Sequence, residues 1–132
     1  MYLLDTNVCV RYLNGRSLLV RERLQATNTD DIYLCSIVKA ELFYGAMRSN
    51  NPKRTLENQK RFVNLFASLP FDDDAALIYG NIRAHLAKQG TPIGSNDLQI
   101  AAIALCNDLV LVTHNTREFS RIPDLHLEDW EI

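Results

Sequence analysis

The stretch Asp97-Leu-Gln-Ile-Ala-Ala-Ile-Ala-Leu-Cys-Asn-Asp-Leu-Val-Leu-Val-Thr113 decides the fold. Its first part, as far as Asn107, is apolar on nearly every side, which is typical of a helix buried at the centre of a protein. Leu109 to Thr113 then forms a short apolar run rich in Val and Leu, which predicts a strand buried on both faces. A buried helix that leads directly into a buried strand favours an α/β protein with a parallel sheet.

The same alternation of strand and helix extends through the rest of the chain. We predict further strands at 2–5, 32–35, 69–71 and 125–130. We predict further helices at 6–14, 17–26, 37–48 and 53–68, and a long helix capped by one of Asp72 to Asp74 that carries Ala75 to Leu86. Gly15 is expected to end the first helix, Ser36 to cap the helix at 37–48, and Ser95 or Asn96 to cap the helix that ends at Asn107. The prediction is an α/β sandwich: a mostly parallel central sheet of four or five short strands flanked by helices, in one domain over residues 1–132.

Composition limits the classes of function that the chain can serve. Its 132 residues carry a formal net charge of −2, which argues against a general polyanion-binding domain. Cys9, Cys35 and Cys106 form no CxxC or Cys/His zinc pattern, so we expect reduced thiols. No apolar run approaches the roughly 20 residues that a membrane span needs, and no signal peptide is recognisable. These features predict a cytoplasmic location.

Acidic and amide side chains follow the predicted strands. Asp5 ends the first strand, Glu41 lies in the helix after the second, Asp97 opens the buried helix, and Asn115 follows the last central strand. In open parallel sheets ligands bind outside the carboxyl ends of the strands, so we expect these side chains to share one cleft. Taken singly, Asp5 could instead cap the helix that follows it, and Asn115 could be a turn residue.

Carboxylates that converge on one cleft repel each other, and a bound divalent cation removes that conflict. The candidate ligands offer only oxygen, with no His or Cys among them, which favours Mg²⁺, with Mn²⁺ as a substitute, over zinc. Thr6, Ser36 and Thr113 lie close to these acids in sequence and are candidates to support them by hydrogen bonding.

Four segments together resemble the PIN-domain family, and most closely its VapC-type toxins. They are Leu3-Leu-Asp5-Thr-Asn7, Ser36-Ile-Val-Lys-Ala-Glu41-Leu-Phe-Tyr-Gly45, Pro92-Ile-Gly-Ser-Asn-Asp97-Leu-Gln-Ile-Ala-Ala102 and Thr113-His-Asn115-Thr-Arg-Glu118-Phe119. The similarity extends over essentially the whole chain and includes the spacing of the segments. It implies a metal-dependent endoribonuclease that hydrolyses RNA phosphodiester bonds with metal-activated water.

The resemblance also assigns roles to single residues. Asp5, Glu41, Asp97 and Asn115 stand at the catalytic positions, and the first three of these would bind the metal. Many PIN domains have a fourth acid where this chain has Asn115, and Glu118 could take part of that role. The number of metal ions therefore stays open.

The resemblance further implies partners. The substrate would be a structured RNA such as a transfer RNA. A VapB-like antitoxin would lay its C-terminal tail beside the helices at 37–47 and 53–69 and send a basic side chain towards the acids. The chain would form a homodimer and a larger toxin–antitoxin complex.

Three alternatives to an RNA nuclease remain open from the residues themselves. A phosphatase of the haloacid dehalogenase type needs a second Asp two residues after the first, where this chain has Asn7. A flap-type DNA nuclease shares the acidic cleft but carries longer insertions. A non-enzymatic interaction domain would not need acids at three motif positions.

Overall fold

A five-stranded, entirely parallel sheet forms the centre of the computed structural model, which describes residues 1–132. The strands are β1 (Tyr2–Leu4), β2 (Ile32–Cys35), β3 (Ala67–Leu69), β4 (Val110–Val112) and β5 (Leu127–Glu128). Their order across the sheet is β3-β2-β1-β4-β5, and each neighbouring pair runs parallel. The predicted α/β fold with a parallel sheet of four or five short strands is confirmed.

Seven α-helices flank this sheet. They are α1 (Thr6–Leu13), α2 (Leu18–Ala26), α3 (Ser36–Met47), α4 (Pro52–Val63), α5 (Asp73–Lys88), α6 (Ser95–Cys106) and α7 (Thr116–Phe119). A single 3-10 turn, Thr29–Asp31, precedes β2. The short helix α7 was not among the predicted elements. No helix combines the length and apolarity needed to cross a membrane.

The third strand was predicted at the wrong place. The helix α4 ends at Val63 rather than at Ser68, and β3 occupies Ala67–Leu69 rather than 69–71. Pro70 has no N–H to donate to a neighbouring strand, so the strand lies before it and pairs Leu69 with Cys35 of β2. The last strand is also shorter than predicted, with two residues instead of six.

Two of the predicted helix caps are wrong. Ser36 is the first residue of α3, and its neighbour Cys35 occupies the N-cap position without a side-chain hydrogen bond. Gly94, rather than Ser95 or Asn96, occupies the N-cap position of α6. In both places the chain becomes helical one or two residues earlier than the polar side chain suggests, so that side chain already lies within the first turn.

Burial confirms the central position of α6. Its residues from Ile100 to Ala104 have no exposed surface, and the helix packs against α5, α3 and the buried strand β4. At the boundary between β1 and β4 the strand order reverses direction: β2 and β3 lie on one side, β5 on the other. Such a reversal leaves a crevice at the carboxyl ends of the two strands, because their connections leave the sheet in opposite directions.

Candidate active site

Asp5 lies at this crevice with both carboxylate oxygens held. It follows β1 and occupies the N-cap position of α1, where Oδ1 accepts a hydrogen bond of 2.8 Å from the Thr6 N–H. The Thr113 hydroxyl, which follows β4, donates to Oδ2 at 2.8 Å. The side chain is buried, with 5% of its surface exposed. Asp5 is therefore a helix cap, and it is also fixed in the crevice by a residue from the neighbouring strand.

Glu41 reaches the same cleft from α3. The Thr6 hydroxyl donates a hydrogen bond of 2.6 Å to Oε1 of Glu41, so one threonine holds two acids through its backbone and its side chain. The inner face of α3 consists of Val38, Leu42 and Ala46. Gly45, three residues after Leu42, is exposed and lies outside this face.

Asp97 and Glu118 complete a group of four acids. Asp97 lies in the first turn of α6, is half-buried and makes no side-chain hydrogen bond. Glu118 lies in the first turn of α7, where the Asn115 amide donates to its Oε2 at 3.2 Å. The Asn115 N–H donates to the Thr113 hydroxyl at 3.0 Å. Asn115 thus orients Glu118 and supports the threonine that holds Asp5.

The electrostatics of the cleft reflect burial and mutual repulsion. The pKa of Asp97 is raised to about 6. Burial is the largest cause, and the charges of Asp5, Glu41 and Glu118 add to it. Burial also raises the pKa of Asp5, against the lowering effect of the hydrogen bonds from Thr113 and Thr6. No Lys, Arg or His forms an ion pair with any of these four acids, since every ion pair in the protein lies elsewhere.

These acids fit a hard divalent cation. Four carboxylates without a basic partner supply only oxygen ligands and an uncompensated negative charge. The ligand atoms of Asp5, Glu41 and Asp97 do not all lie within 4.8 Å of one another.

The sequence-predicted site residues are thus brought together in all but one case. Ser36, a predicted support for the acids, is exposed and makes no side-chain hydrogen bond. Sequence reasoning missed a second group, in which the ligand atoms of His114, Asp129 and Glu131 all lie within 4.8 Å of one another. No spacing signal could have found it, because the two acids lie in the irregular C-terminal segment and reach His114 only through the pairing of β4 with β5.

Comparison with known proteins identifies the fold. The model of the PIN domain family matches residues 2–125. This chain is a PIN-domain protein of the VapC family. The tRNA(fMet)-specific endonuclease VapC of Salmonella typhimurium is 42% identical over 129 residues, which is 98% of this chain and 97% of that protein. Ribonuclease VapC2 of Haemophilus influenzae is 39% identical, with the same shares of both chains.

A solved structure of this family supports the same placement. The chain matches DNA-bound VapBC from Salmonella typhimurium with a TM-score of 0.92 and 42% identity, covering 98% of this PIN domain and 97% of that chain. The VapC resemblance that the four sequence segments carried is confirmed.

Proposed function

We propose that this PIN domain is the toxin of a toxin–antitoxin pair and an endoribonuclease that hydrolyses RNA phosphodiester bonds. The observation that carries the proposal is the group of four acids without a basic partner at the crevice between β1 and β4. Similarity to proteins named ribonuclease VapC supports the choice of RNA over DNA and over the phosphatase alternative.

The residues of the site divide into those that hold a cation and those that hold the acids. Asp5 and Asp97 would bind the cation directly or through water, and Glu41 would add a ligand or orient the attacking water. Glu118 supplies a fourth charge close to Asp97 and takes part of the role of the acid that many PIN domains have where this chain has Asn115. Thr6 and Thr113 keep Asp5 and Glu41 in place when the cation is absent.

PIN-domain VapC nucleases are metal-dependent, and we assign Mg²⁺ here, with Mn²⁺ as a substitute, because the donors are all carboxylate oxygens. When bound, such a cation lowers the pKa of a coordinated water and stabilises negative charge on the scissile phosphate. The threonine hydroxyls keep Asp5 and Glu41 oriented, and the low exposure of Asp5 limits access of bulk water to this end of the cleft.

The most direct candidate substrate is a transfer RNA. A relative with 42% identity over nearly the whole chain is named as specific for tRNA(fMet). We therefore propose a structured RNA of this class, with initiator tRNA as the first to test.

A groove beside α1 fits the tail of an antitoxin. It has a volume of about 290 Å³ and lies between α1, α3 and α4, where Val10, Leu13 and Leu42 line it. Gln59 also lines this groove, and its buried Oε1 has no hydrogen-bond partner in the protein. A partner that lays apolar side chains in the groove would cover the exposed side chain of Val10. Similarity to the solved VapBC structures supports a VapB-like partner.

A homodimer remains a prediction, which sedimentation at micromolar concentration tests.

The nuclease function is tested with purified protein, labelled tRNA(fMet) transcript and a DNA strand of the same sequence. We expect cleavage of the RNA alone, its loss in EDTA, and its return with Mg²⁺ or Mn²⁺ but not with Zn²⁺. Asp97→Asn should abolish cleavage, whereas Asp74→Asn, which changes an exposed acid in the first turn of α5, should leave it intact. Undiminished cleavage in excess EDTA, or by Asp97→Asn, would contradict the assignment.

A further inference from the structure

A second pocket adjoins the acidic cleft and is lined by two arginines. Its volume is about 520 Å³, and only one of its eight lining residues is apolar. Asn115, which orients Glu118, lines it, as does Asn7, which follows Asp5 and Thr6 in the first motif. Its ionisable lining residues are Arg11, Arg16, His114 and Glu131.

The end of α1 brings the two arginines into this pocket. Gly15 adopts a φ of 69°, which ends the helix, and its N–H donates to the Tyr12 carbonyl. The Arg16 N–H donates to the Arg11 carbonyl at 3.2 Å and also to Oδ1 of Asn14 at 3.0 Å. This is the Schellman arrangement of a helix C-terminus, in which the residue after the glycine is tied back to the last turn. The backbone positions of both arginines are therefore fixed before any ligand binds.

The guanidinium groups remain available to a ligand. Arg16 is exposed and forms no ion pair, and its guanidinium makes no hydrogen bond within the protein. The Nε of Arg11 lies 3.5 Å from Oε1 of Glu131 without a hydrogen bond, and 44% of the Arg11 side chain is exposed. Glu131, the one acid that lines the pocket, therefore binds Arg11 loosely and forms no ion pair with Arg16.

His114 also lines the pocket, and the C-terminal segment holds its ring. Its Nδ1 lies 2.9 Å from Oδ2 of Asp129, and because an ionised carboxylate can only accept, Nδ1 carries the proton. Its Nε2 makes no hydrogen bond within the protein. The preceding residue, Thr113, donates a hydrogen bond to Asp5. His114 therefore lies next in the chain to a residue of the acidic cleft.

We propose that this pocket binds a backbone phosphate of the RNA beside the scissile one, through Arg11 and Arg16. The inference rests on the proposed ribonuclease function and names the part of the chain that binds the substrate. A polyanion that approaches four acids in a chain of net charge −2 is repelled unless cationic side chains lie next to them. Guanidinium groups bind phosphate in two-pronged fashion, and the end of α1 fixes the backbones of two arginines beside the acidic cleft.

Binding is measured separately from cleavage, in the Asp97→Asn background, so that the RNA stays intact. The probe is fluorescent tRNA(fMet) transcript, and its Kd is measured by anisotropy from 0.05 to 0.3 M NaCl. Loss of one phosphate contact lowers the slope of log K against log salt by about 0.7 to 0.9, which corresponds to roughly 5- to 8-fold weaker binding at 0.1 M salt. We expect this change for Arg16→Gln and for Arg11→Gln. The control Arg21→Gln removes the same charge from the exposed face of α2 and should change neither quantity.

Three further measurements separate a role of Arg16 in binding from a role in the fold. Arg16→Lys should retain most of the salt slope, because it keeps the charge. In the active protein, Arg16→Gln should raise KM with little change in kcat, and its thermal unfolding should match that of Arg21→Gln. If Arg16→Gln and Arg11→Gln both bind RNA as Arg21→Gln does, the pocket is not a phosphate subsite, even where the parent protein cleaves RNA. If the parent neither binds nor cleaves RNA, the proposed function itself fails.

Discussion

Replacing Asp97 by Asn is expected to stabilise the cation-free protein while it abolishes cleavage. The carboxylate makes no hydrogen bond that Asn would lose, and its pKa is raised from its ordinary value of 3.8 to about 6 by burial and by the neighbouring acids. At about 1.36 kcal/mol for each pH unit, that difference corresponds to about 3 kcal/mol of unfavourable interaction in the ionised form. Asp97 is half-buried, and solvent screening reduces the expected gain in unfolding free energy to about 1 kcal/mol at pH 7.5.

The pH dependence has a definite sign. The pKa of Asp97 is higher in the folded than in the unfolded chain, so its contribution to stability is fully present below pH 3.8 and is lost as the pH rises through about 6. The Asn variant lacks this loss. Its free energy of unfolding should therefore exceed that of the parent protein at pH 7.5 and be nearly equal to it near pH 4.

Thermal and urea unfolding in EDTA measure the effect, and about 1 kcal/mol corresponds to roughly 3–5 °C in Tm for a chain of this size. Asp74→Asn is the control, because it removes an exposed first-turn acid that favours its helix and should lower stability by a few tenths of a kcal/mol. Added Mg²⁺ should stabilise the parent protein and not the Asp97→Asn variant, which reverses their order. If Asp97→Asn is destabilised in EDTA at pH 7.5, burial and repulsion in the cleft do not disfavour the ionised carboxylate of Asp97.

Two other substitutions test the supports of the fold and site. Thr113→Val removes the buried hydroxyl that donates to Asp5. It should lower the free energy of unfolding by about 1–3 kcal/mol and the rate of cleavage by about 10- to 100-fold. The control is Thr91→Val, which removes a buried hydroxyl without a partner and should be neutral or stabilising. Equal effects of the two would refute the role of the Thr113 hydrogen bond. Asp72→Ala removes the cap of α5 and should lower the free energy of unfolding in urea by about 1 kcal/mol. Asp73→Ala, which changes an acid that does not cap the helix, should lower it by only a few tenths of a kcal/mol.

Local patterns in the sequence were sufficient for the parallel α/β architecture. The apolar run that forms β2 was predicted with its observed bounds, and the all-round apolar character of α6 indicated its central burial. The cap at Asp72 and the helix stop at Gly15 are also as predicted, because both depend on residues close in the chain. The position of β3 was wrong because it depends on pairing with β2, which lies more than thirty residues earlier.

The site divides in the same way. The order of strands and helices in the sequence nominated Asp5, Glu41, Asp97 and Asn115, and the resemblance to PIN domains added Glu118. Only the tertiary structure decided which hydroxyls hold them. Thr6 reaches Glu41 across 35 residues and Thr113 reaches Asp5 across 108, whereas Ser36, equally close to an acid in sequence, holds none.

The pocket lined by Arg11 and Arg16 also depends on contacts between distant parts of the chain. Arg11 and Arg16 are near neighbours in the chain, but His114, Asp129 and Glu131 meet them only because β4 lies between β1 and β5. Periodicity and capping record interactions within a few residues of the chain. Strand order and the contacts that it creates depend on the packing of the whole core, and no single segment specifies them.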